Sequence, residues 1–566
     1  MRHLGLGAGL ALLAWLATGA VARAEVAPGT YLAARAASIS GDFAQAARWY
    51  DAAIADDPAN PALIEQALIA QIGLGDAARA AELARAAREL GLNMGFANMV
   101  SVAQAAGQGD WPAILSDLGA GRGVGPLLDG LTRAWAEVGA GRMSEALDAF
   151  DTVAAMPGMR AFGLYHKGLA LAAVGDFEGA DAVFSLPGER GFQRTRRSVL
   201  AHVAVLSQLG RNPQALTLIE AVYGPEPEAE VAELRDRLAA GEAVPYDLVA
   251  TPAQGLAEVY LSVAGSIRGE VAETVVLTHA RIALWIDPDL TDARLLVAEA
   301  LEEMGQHELA AATFAAVPAE DPAFVSAELG RADVLRRSGR IDAAVEVLAQ
   351  LSRSHPGLAV VQARLGDMLR RSGDMAGANA AYSRALDLSE PDDPASWVLH
   401  YTRAITAHRM DDWPAAEAGF RKALELNPGH PQVLNYLGYS LVERGEKLDE
   451  ALAMIEAAVA GEPENGAIVD SLGWVLFRLG RHEEAVIQLE RAAVLEPVDP
   501  VINDHLGDAY WAVGRKREAH FQWKRALSFD PEEAEAERIR RKLEIGLDAV
   551  MAEEGLDPLA VAAGGG

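Results

Sequence analysis

The sequence predicts an all-α protein, an α-α superhelical solenoid of about fourteen helical hairpins with a C-terminal capping helix. Two observations lead to this prediction. Pairs of glycines seven residues apart recur along the chain, and small residues, a large side chain and a proline follow each pair at fixed offsets. The 566 residues are 51% hydrophobic and 23% charged, which is typical of a globular protein with a large core.

The start of the chain differs from the rest. A short basic stretch precedes an apolar run over residues 4–21, and the triplet Ala22-Arg23-Ala24 then fits a cleavage site. We therefore expect a secretory signal peptide over the first 24 residues and a mature chain that begins at Glu25. A retained membrane anchor is the alternative, because the run is nearly long enough to span a bilayer, but its Gly and Ala content favours removal. The expected location is the periplasm or the exterior, with no integral membrane segment after signal removal.

Cysteine content and charge narrow the location and the partners further. The chain has no cysteine, which excludes lipoprotein processing and a disulfide framework and suits an oxidising compartment. Without the signal peptide the chain keeps 47 basic and 80 acidic residues, a net charge of −33. Such a surface repels phosphate backbones and anionic headgroups. Nucleic acid and membrane-surface partners are therefore disfavoured.

The glycine pairs define a repeating unit of two helices. The four clearest pairs are Gly366 and Gly373, Gly438 and Gly445, Gly473 and Gly480, and Gly507 and Gly514. The residues that follow the last two pairs are Ala485, Leu489, Ala492 and Pro497, and then Ala519, Trp523, Ala526 and Pro531. The first glycine of each pair fits a close approach between helices, and the second fits a left-handed helix end. The sequence thus predicts a helical hairpin every 34 residues.

This pattern resembles the tetratricopeptide repeat. Fainter copies extend it upstream and divide the mature chain into an N-terminal block over 25–221 and a C-terminal block over 257–534. Between them, residues 222–256 contain several Pro and Gly and one acidic helical stretch, so we expect an irregular and partly helical connector. Residues 535–552 fit a charged capping helix, and residues 553–566 fit a flexible tail.

No motif in the sequence indicates catalysis. The 12 histidines are scattered, and no H-E-x-x-H or paired-Cys ligand set is present. We therefore predict that the chain is not an enzyme, that it needs no cofactor, and that it has no catalytic residues or metal ligands.

Helical geometry separates packing residues from candidate binding residues. At about 100° per residue, Asp470, Trp474 and Phe477 point roughly 80 to 140° away from the sector that contains Leu472 and Gly473. In tetratricopeptide repeats this flank lines a concave groove that holds an extended or helical peptide, so the resemblance implies a binding role. The predicted groove residues are Asn435, Tyr439, Asp470, Trp474, Phe477, Asp504, Asp508 and Trp511. Packing of the aromatic rings between adjacent repeats, and simple exposure, are the alternatives.

Charge along this flank departs from one known binding mode. Relatives that clamp a C-terminal carboxylate use Lys, Arg and Asn there, whereas the three aspartates of the predicted groove would repel it. A possible basic ladder lies upstream, where two arginine pairs occupy equivalent places 34 residues apart. Its residues are Arg336, Arg337, Arg370 and Arg371. The alternative is that these cations are solvated and interact with the C-terminal dipoles of their helices.

The sequence favours an exported adaptor or scaffold that binds a protein or peptide segment in its groove. Its strongest repeats look like those of large bacterial envelope proteins with tetratricopeptide repeats, some of which present substrates to carboxyl-terminal processing proteases. An envelope protease or a cell-wall enzyme is therefore a possible partner. The alternatives are a structural assembly factor for secretion, cell-wall or polysaccharide machinery, and a glycan-binding solenoid that uses the aromatic rings as platforms.

Overall fold

The computed structural model describes residues 28–186, 194–225 and 229–555, and within these ranges it contains α-helices, one short 3₁₀ helix and no β-strand. The all-α prediction is confirmed. The predicted signal peptide, residues 1–24, and most of the predicted tail, residues 553–566, lie outside the described residues.

The chain divides into two compact units, Met1–Gly339 and Arg340–Gly566. The described helices of the first unit are α1 (Pro28–Ile39), α2 (Phe43–Asp56), α3 (Pro61–Leu74), α4 (Ala77–Glu89), α5 (Gly95–Gly107), α6 (Trp111–Gly119), α7 (Pro126–Gly139), α8 (Met143–Ala155), α9 (Arg160–Ala173), α10 (Phe177–Phe184), α11 (Arg196–Gln208), α12 (Asn212–Tyr223), α13 (Ala229–Ala239), α14 (Pro252–Ile267), α15 (Glu273–Ile286), α16 (Thr291–Glu303), α17 (His307–Phe314) and α18 (Phe324–Arg337).

The described helices of the second unit, which also holds the 3₁₀ helix Pro394–Ser396, are α19 (Ile341–Ser354), α20 (Ala359–Ser372), α21 (Met375–Asp387), α22 (Trp397–Arg409), α23 (Trp413–Leu426), α24 (Pro431–Glu443), α25 (Leu448–Gly461), α26 (Gly466–Arg478), α27 (His482–Leu495), α28 (Pro500–Ala512), α29 (Lys516–Leu527), α30 (Glu533–Ile545) and α31 (Leu547–Glu553). Within the two units the described helices form thirteen consecutive pairs, α1/α2 to α11/α12, α14/α15 and α16/α17 in the first unit and α20/α21 to α28/α29 in the second, close to the predicted number of about fourteen.

The two glycines of each strong repeat have the predicted roles. A Cβ atom on Gly473 would lie 2.4 Å from Leu489, and one on Gly507 would lie 2.4 Å from Trp523, so the paired helices approach each other too closely for any side chain there. Gly480 has a φ of 74°, in the left-handed region that glycine adopts without strain, and directly follows the end of the helix.

In the first unit, α14 and α15 pack against α3, α5, α7 and α9 of the N-terminal hairpins. Tyr165 on α9 donates a 2.7 Å hydrogen bond to the buried Glu258 on α14. Gly255 on α14 lies so close to α7 that a Cβ atom would sit 2.3 Å from the Trp135 ring. Because of these contacts the compact unit continues past the predicted connector, residues 222–256, in which α13 is the one described helix that lies entirely within those bounds.

The end of the second unit differs in one respect from the predicted single capping helix over residues 535–552. Two helices, α30 and α31, meet at Gly546, which has a φ of 84°. A Cβ atom at this position would lie 2.5 Å from the Trp511 ring, so glycine permits both the turn and the close approach to α28.

Candidate binding groove

The predicted groove residues all lie on α24, α26 and α28, the first helices of the last three hairpins, and seven of the eight line two cavities in the second unit. A cavity of about 900 Å³ is lined, among others, by Tyr439, Trp474, Phe477, Asp504 and Asp508. A smaller cavity of about 370 Å³ is lined, among others, by Asn435, Tyr439 and Asp470. Tyr439 and Val501 line both, so the two cavities adjoin. Trp511 lines neither.

Trp474 packs between consecutive repeats. Its ring stacks on His505 of α28, with ring centroids 4.0 Å apart, and on Phe477 of its own helix at 4.9 Å. The indole N–H donates a 2.6 Å hydrogen bond to Glu443 of α24, and only 8% of the residue is exposed. One side chain therefore joins three successive first helices and presents little surface to a ligand.

The buried pair of Asp470 and His505 links α26 to α28. His505 Nδ1 lies 2.9 Å from Asp470 Oδ2, and both residues are at least nine-tenths buried. Burial lowers the pKa of His505, but the carboxylate of Asp470, with those of Asp504 and Asp508, raises it above the ordinary value of 6.5. The folded chain thus favours the protonated imidazole more than water does, and the Asp470 carboxylate is already engaged by an internal partner.

Asp504 and Asp508 hold a lysine of the capping segment. Lys542 Nζ on α30 lies 2.8 Å from Asp504 and 2.7 Å from Asp508, and its side chain is completely buried. Asp508 also accepts a 2.9 Å hydrogen bond from the Trp523 indole. Burial raises the pKa of Asp508 against the opposing effect of Lys542 and Arg538. The two carboxylates are therefore part of the contact between the last repeat and its cap.

Trp511, at the far end of the flank, is also engaged by the cap. Its indole N–H donates a 2.9 Å hydrogen bond to Asp548 of α31, and the Lys516 ammonium lies 4.4 Å from the ring centroid. The nearby Arg538 donates to Glu554 beyond α31. The terminal helices therefore cover this end of the flank.

Tyr439 and Asn435 lie where the two cavities meet. Burial raises the pKa of Tyr439, and the carboxylates of Glu443, Asp470 and Glu535 raise it further, which indicates a negative electrostatic environment around the phenol. Asn435 Oδ1 is buried without a hydrogen-bond partner among the described residues. A buried amide oxygen without a partner is uncommon in folded proteins, and it leaves an acceptor available beside the smaller cavity.

The arginines of the possible basic ladder fall into different units. In the first unit, Arg336 and Arg337 pair with Asp333 at 2.8 and 3.1 Å. In the second unit, Arg370 Nε donates a 3.3 Å hydrogen bond to the Tyr382 hydroxyl. Arg336 and Arg337 are thus ion-paired with an aspartate of their own helix. The alternative of solvated cations at a helix end describes them only in part.

Two site residues were not identified from the sequence, His505 and Lys542. His505 is three residues before Asp508, which the helical pattern already singles out, but nothing in its spacing indicates that Asp470 is its partner. Lys542 had a recognisable signal, because Ala536, Ile539 and Lys542 follow one another at three-residue intervals on α30 and are all buried. A lysine on an apolar stripe requires a buried carboxylate partner.

No group of three or more His, Cys, Asp or Glu side chains among the described residues is arranged to hold a metal ion. None of the described helices has both the length and the apolar character that crossing a membrane requires.

Part of this chain is similar to known proteins. Residues 329–394 and 443–500 match the family model of the tetratricopeptide repeat. The TPR repeat-containing protein PA4667 of Pseudomonas aeruginosa is 34% identical over 88 residues, which cover 16% of this chain and 15% of that protein. This chain therefore matches only a small part of that relative's length.

Two solved structures match this chain at low sequence identity and low TM-score. A tetratricopeptide repeat protein from Parabacteroides merdae is 16% identical with a TM-score of 0.37, over 45% of this chain and 97% of that one. The structure of the APC/C hetero-tetramer Cut9-Hcn1 is 15% identical with a TM-score of 0.37, over 92% of this chain and 96% of that one. The family match, together with the consecutive helical hairpins and their paired glycines, identifies this chain as a protein with tetratricopeptide repeats, a fold that typically serves as a scaffold for protein binding.

Proposed function

We propose that this protein is an exported, non-catalytic adaptor that binds a segment of a partner protein at the two adjoining cavities of the second unit. The observation that carries the proposal is the junction at Tyr439 and Val501, where cavities of about 900 and 370 Å³ meet. Concave sites are the usual form of a recognition site. The unpaired Asn435 carbonyl beside the junction supplies an acceptor for a backbone N–H of the segment.

Export and the identity of the partner are the finer parts of the proposal. The apolar run at residues 4–21 and the triplet that follows support secretion to the periplasm. The resemblance to envelope repeat proteins supports an envelope protease or a cell-wall enzyme as the partner, with this chain delivering substrates to it.

Site-specific photo-crosslinking in the full chain tests the proposal. A photoreactive amino acid at position 435 or 501 lies at the cavities, and the matched control is position 346 on α19, where the Glu346 side chain is 74% exposed. We expect one protein to be captured from both cavity positions and not from the control. If the same set of proteins is captured from all three positions, the cavities are not the binding site.

Affinity for the captured protein provides the quantitative measurement. Val501→Glu places a carboxylate at the cavity junction. The first turn of α28 should tolerate the new side chain, because acidic residues are favourable near a helix N-terminus. The expected result is a loss of affinity of roughly thirtyfold or more, the hot-spot range, with unchanged thermal unfolding. Equal affinity of the folded variant would contradict the proposal.

The stoichiometry of the complex separates an adaptor from an assembly factor. An adaptor gives one discrete complex with one protein, whereas an assembly factor joins several components at once. The glycan-binding alternative needs an accessible aromatic face, and Trp474 and Phe477 are only 8% and 6% exposed. The cavities therefore favour a protein segment over a sugar.

A further inference from the structure

The second helices of the last two hairpins, α27 and α29, together with the loop that follows α27, carry exposed apolar side chains. The exposed fractions are 64% for Ile487, 79% for Val494, 67% for Val498 and 66% for Phe521. Single exposed apolar residues are ordinary on a soluble protein, but neighbouring ones often mark an interaction site. We name the four residues Glu483, Ile487, Arg517 and Phe521 the outer patch.

The two halves of the outer patch are structurally equivalent. Arg491 on α27 donates to the carbonyl of Pro463, and Arg525 on α29 donates to the carbonyl of Pro497 at 2.9 Å, so the same contact recurs 34 residues later. The two helices therefore share one register. In that register the acidic and basic members of the outer patch occupy equivalent positions, and so do its isoleucine and phenylalanine.

Within each helix the charged and the apolar member are four residues apart and thus face the same direction. All four side chains are exposed, and among the described residues neither Glu483 nor Arg517 forms an ion pair. The outer patch therefore consists of an acidic and an apolar position on one helix, beside a basic and an apolar position on the next. This arrangement is complementary to itself.

We propose that the outer patch is the interface of a homodimer, in which a second copy of this chain packs through the same surface. A twofold axis parallel to α27 and α29, between them, places α27 of one copy against α29 of the other in parallel orientation. Glu483 then faces Arg517 of the second copy, and Ile487 packs on Phe521 of the second copy. Each pair occurs twice, as a twofold interface requires.

The size of the surface predicts a weak dimer. Helices of 14 and 12 residues extend for about 20 Å at 1.5 Å per residue. Each helix is about 10 Å wide with its side chains, so the two exposed faces offer on the order of 400 Å² per copy, below the roughly 800 Å² of a standard interface. We therefore expect a dissociation constant in the micromolar range.

Sedimentation equilibrium of the full chain over a concentration series tests the proposal. The variant with Ile487→Glu and Phe521→Glu places four carboxylates in the interface and should raise the dimer dissociation constant roughly thirtyfold or more. The matched control is Val360→Glu on α20, an apolar residue that is 49% exposed outside the outer patch, and it should dimerise as the unmodified chain does. A chain that stays monomeric at high micromolar concentration overturns the proposal, as does a control that loses the dimer equally.

Charge reversal distinguishes a specific interface from general loss of folding. Glu483→Arg and Arg517→Glu should each weaken the dimer, because each produces two like-charged contacts across the axis. The chain that carries both substitutions restores opposite charges and should regain most of the affinity. Failure of the combined variant to recover overturns the proposed geometry. Sedimentation with vesicles of anionic lipid, if it captures a monomeric chain through Phe521, would instead assign the outer patch to a membrane surface.

Discussion

Substitution of the buried Lys542 by methionine should destabilise the C-terminal end of the second unit. The change keeps the length and apolar character of the side chain but removes an ammonium that lies 2.8 Å from Asp504 and 2.7 Å from Asp508. Side-chain exposure is 0% for Lys542, 1% for Asp508 and 15% for Asp504, so water does not replace the lost partner. Removal of one member of a buried ion pair typically costs about 3 to 5 kcal/mol, and we expect a loss of that size.

Hydrogen exchange of the backbone amides in α28 to α31 is the appropriate measurement, because repeat arrays open locally rather than all at once. Adding Asp504→Asn and Asp508→Asn to Lys542→Met should recover most of the loss, since neutral amides need no counterion and an asparagine at 508 can still accept from the Trp523 indole. Arg540→Met, which removes an exposed cation of the same helix, should have no resolvable effect.

The sign of the pH dependence provides a second check on the same variant. Burial already raises the pKa of Asp508, and loss of the lysine raises it further. A carboxyl group with a raised folded-state pKa favours the folded chain at low pH, and this contribution is lost as the pH increases. The cost of Lys542→Met should therefore diminish as the pH falls. If the variant exchanges within about 1 kcal/mol of the unmodified chain at neutral pH, the buried ion pair does not hold the cap.

Three further results are expected. Gly473→Leu should lower the unfolding temperature and cost on the order of 1 to 3 kcal/mol or more, because even a Cβ atom would lie 2.4 Å from Leu489; unchanged unfolding would contradict the close helix approach. Asp470→Asn should flatten the dependence of stability on pH above 6.5, because the raised pKa of His505 contributes stability that is present below 6.5 and lost as the pH rises through the folded-state value; denaturant unfolding at several pH values measures the slope. Intact-mass measurement of periplasmic material should give a chain that begins at Glu25, and a retained first methionine would refute export by cleavage.

The hairpin architecture could be predicted from the sequence because its determinants are local and repeated. Every strong repeat has the same pattern of two glycines. The first lies against a large side chain of the paired helix, such as Leu489 or Trp523, and the second has a positive φ. The packing of α14 and α15 against the N-terminal hairpins could not be predicted in this way. It depends on single long-range contacts, such as that of Tyr165 with Glu258, which have no period.

In the candidate groove, too, the sequence predicts the direction of a side chain within its helix but not the residue that it contacts. Helical geometry predicts that Asp470 and Trp474 share one flank of α26, but it contains no information on what lies opposite that flank. The structure places His505 of the next repeat there, in contact with both side chains. Periodicity thus predicts where a side chain points within its repeat, whereas the identity of its neighbour depends on how consecutive repeats stack.

The cap explains why the acidic residues at the end of the flank are unsuitable as ligand-binding groups. A helical stack must cover the apolar face of its last repeat, and α30 does so with Ile539 and the buried Lys542. The charge of the buried lysine requires carboxylate partners, which Asp504 and Asp508 supply. The stability of the cap therefore already requires acidic residues at both positions. The recognition proposed for the second unit therefore depends on positions that no internal partner requires, and the junction at Tyr439, with the unpaired Asn435 acceptor beside it, satisfies that condition.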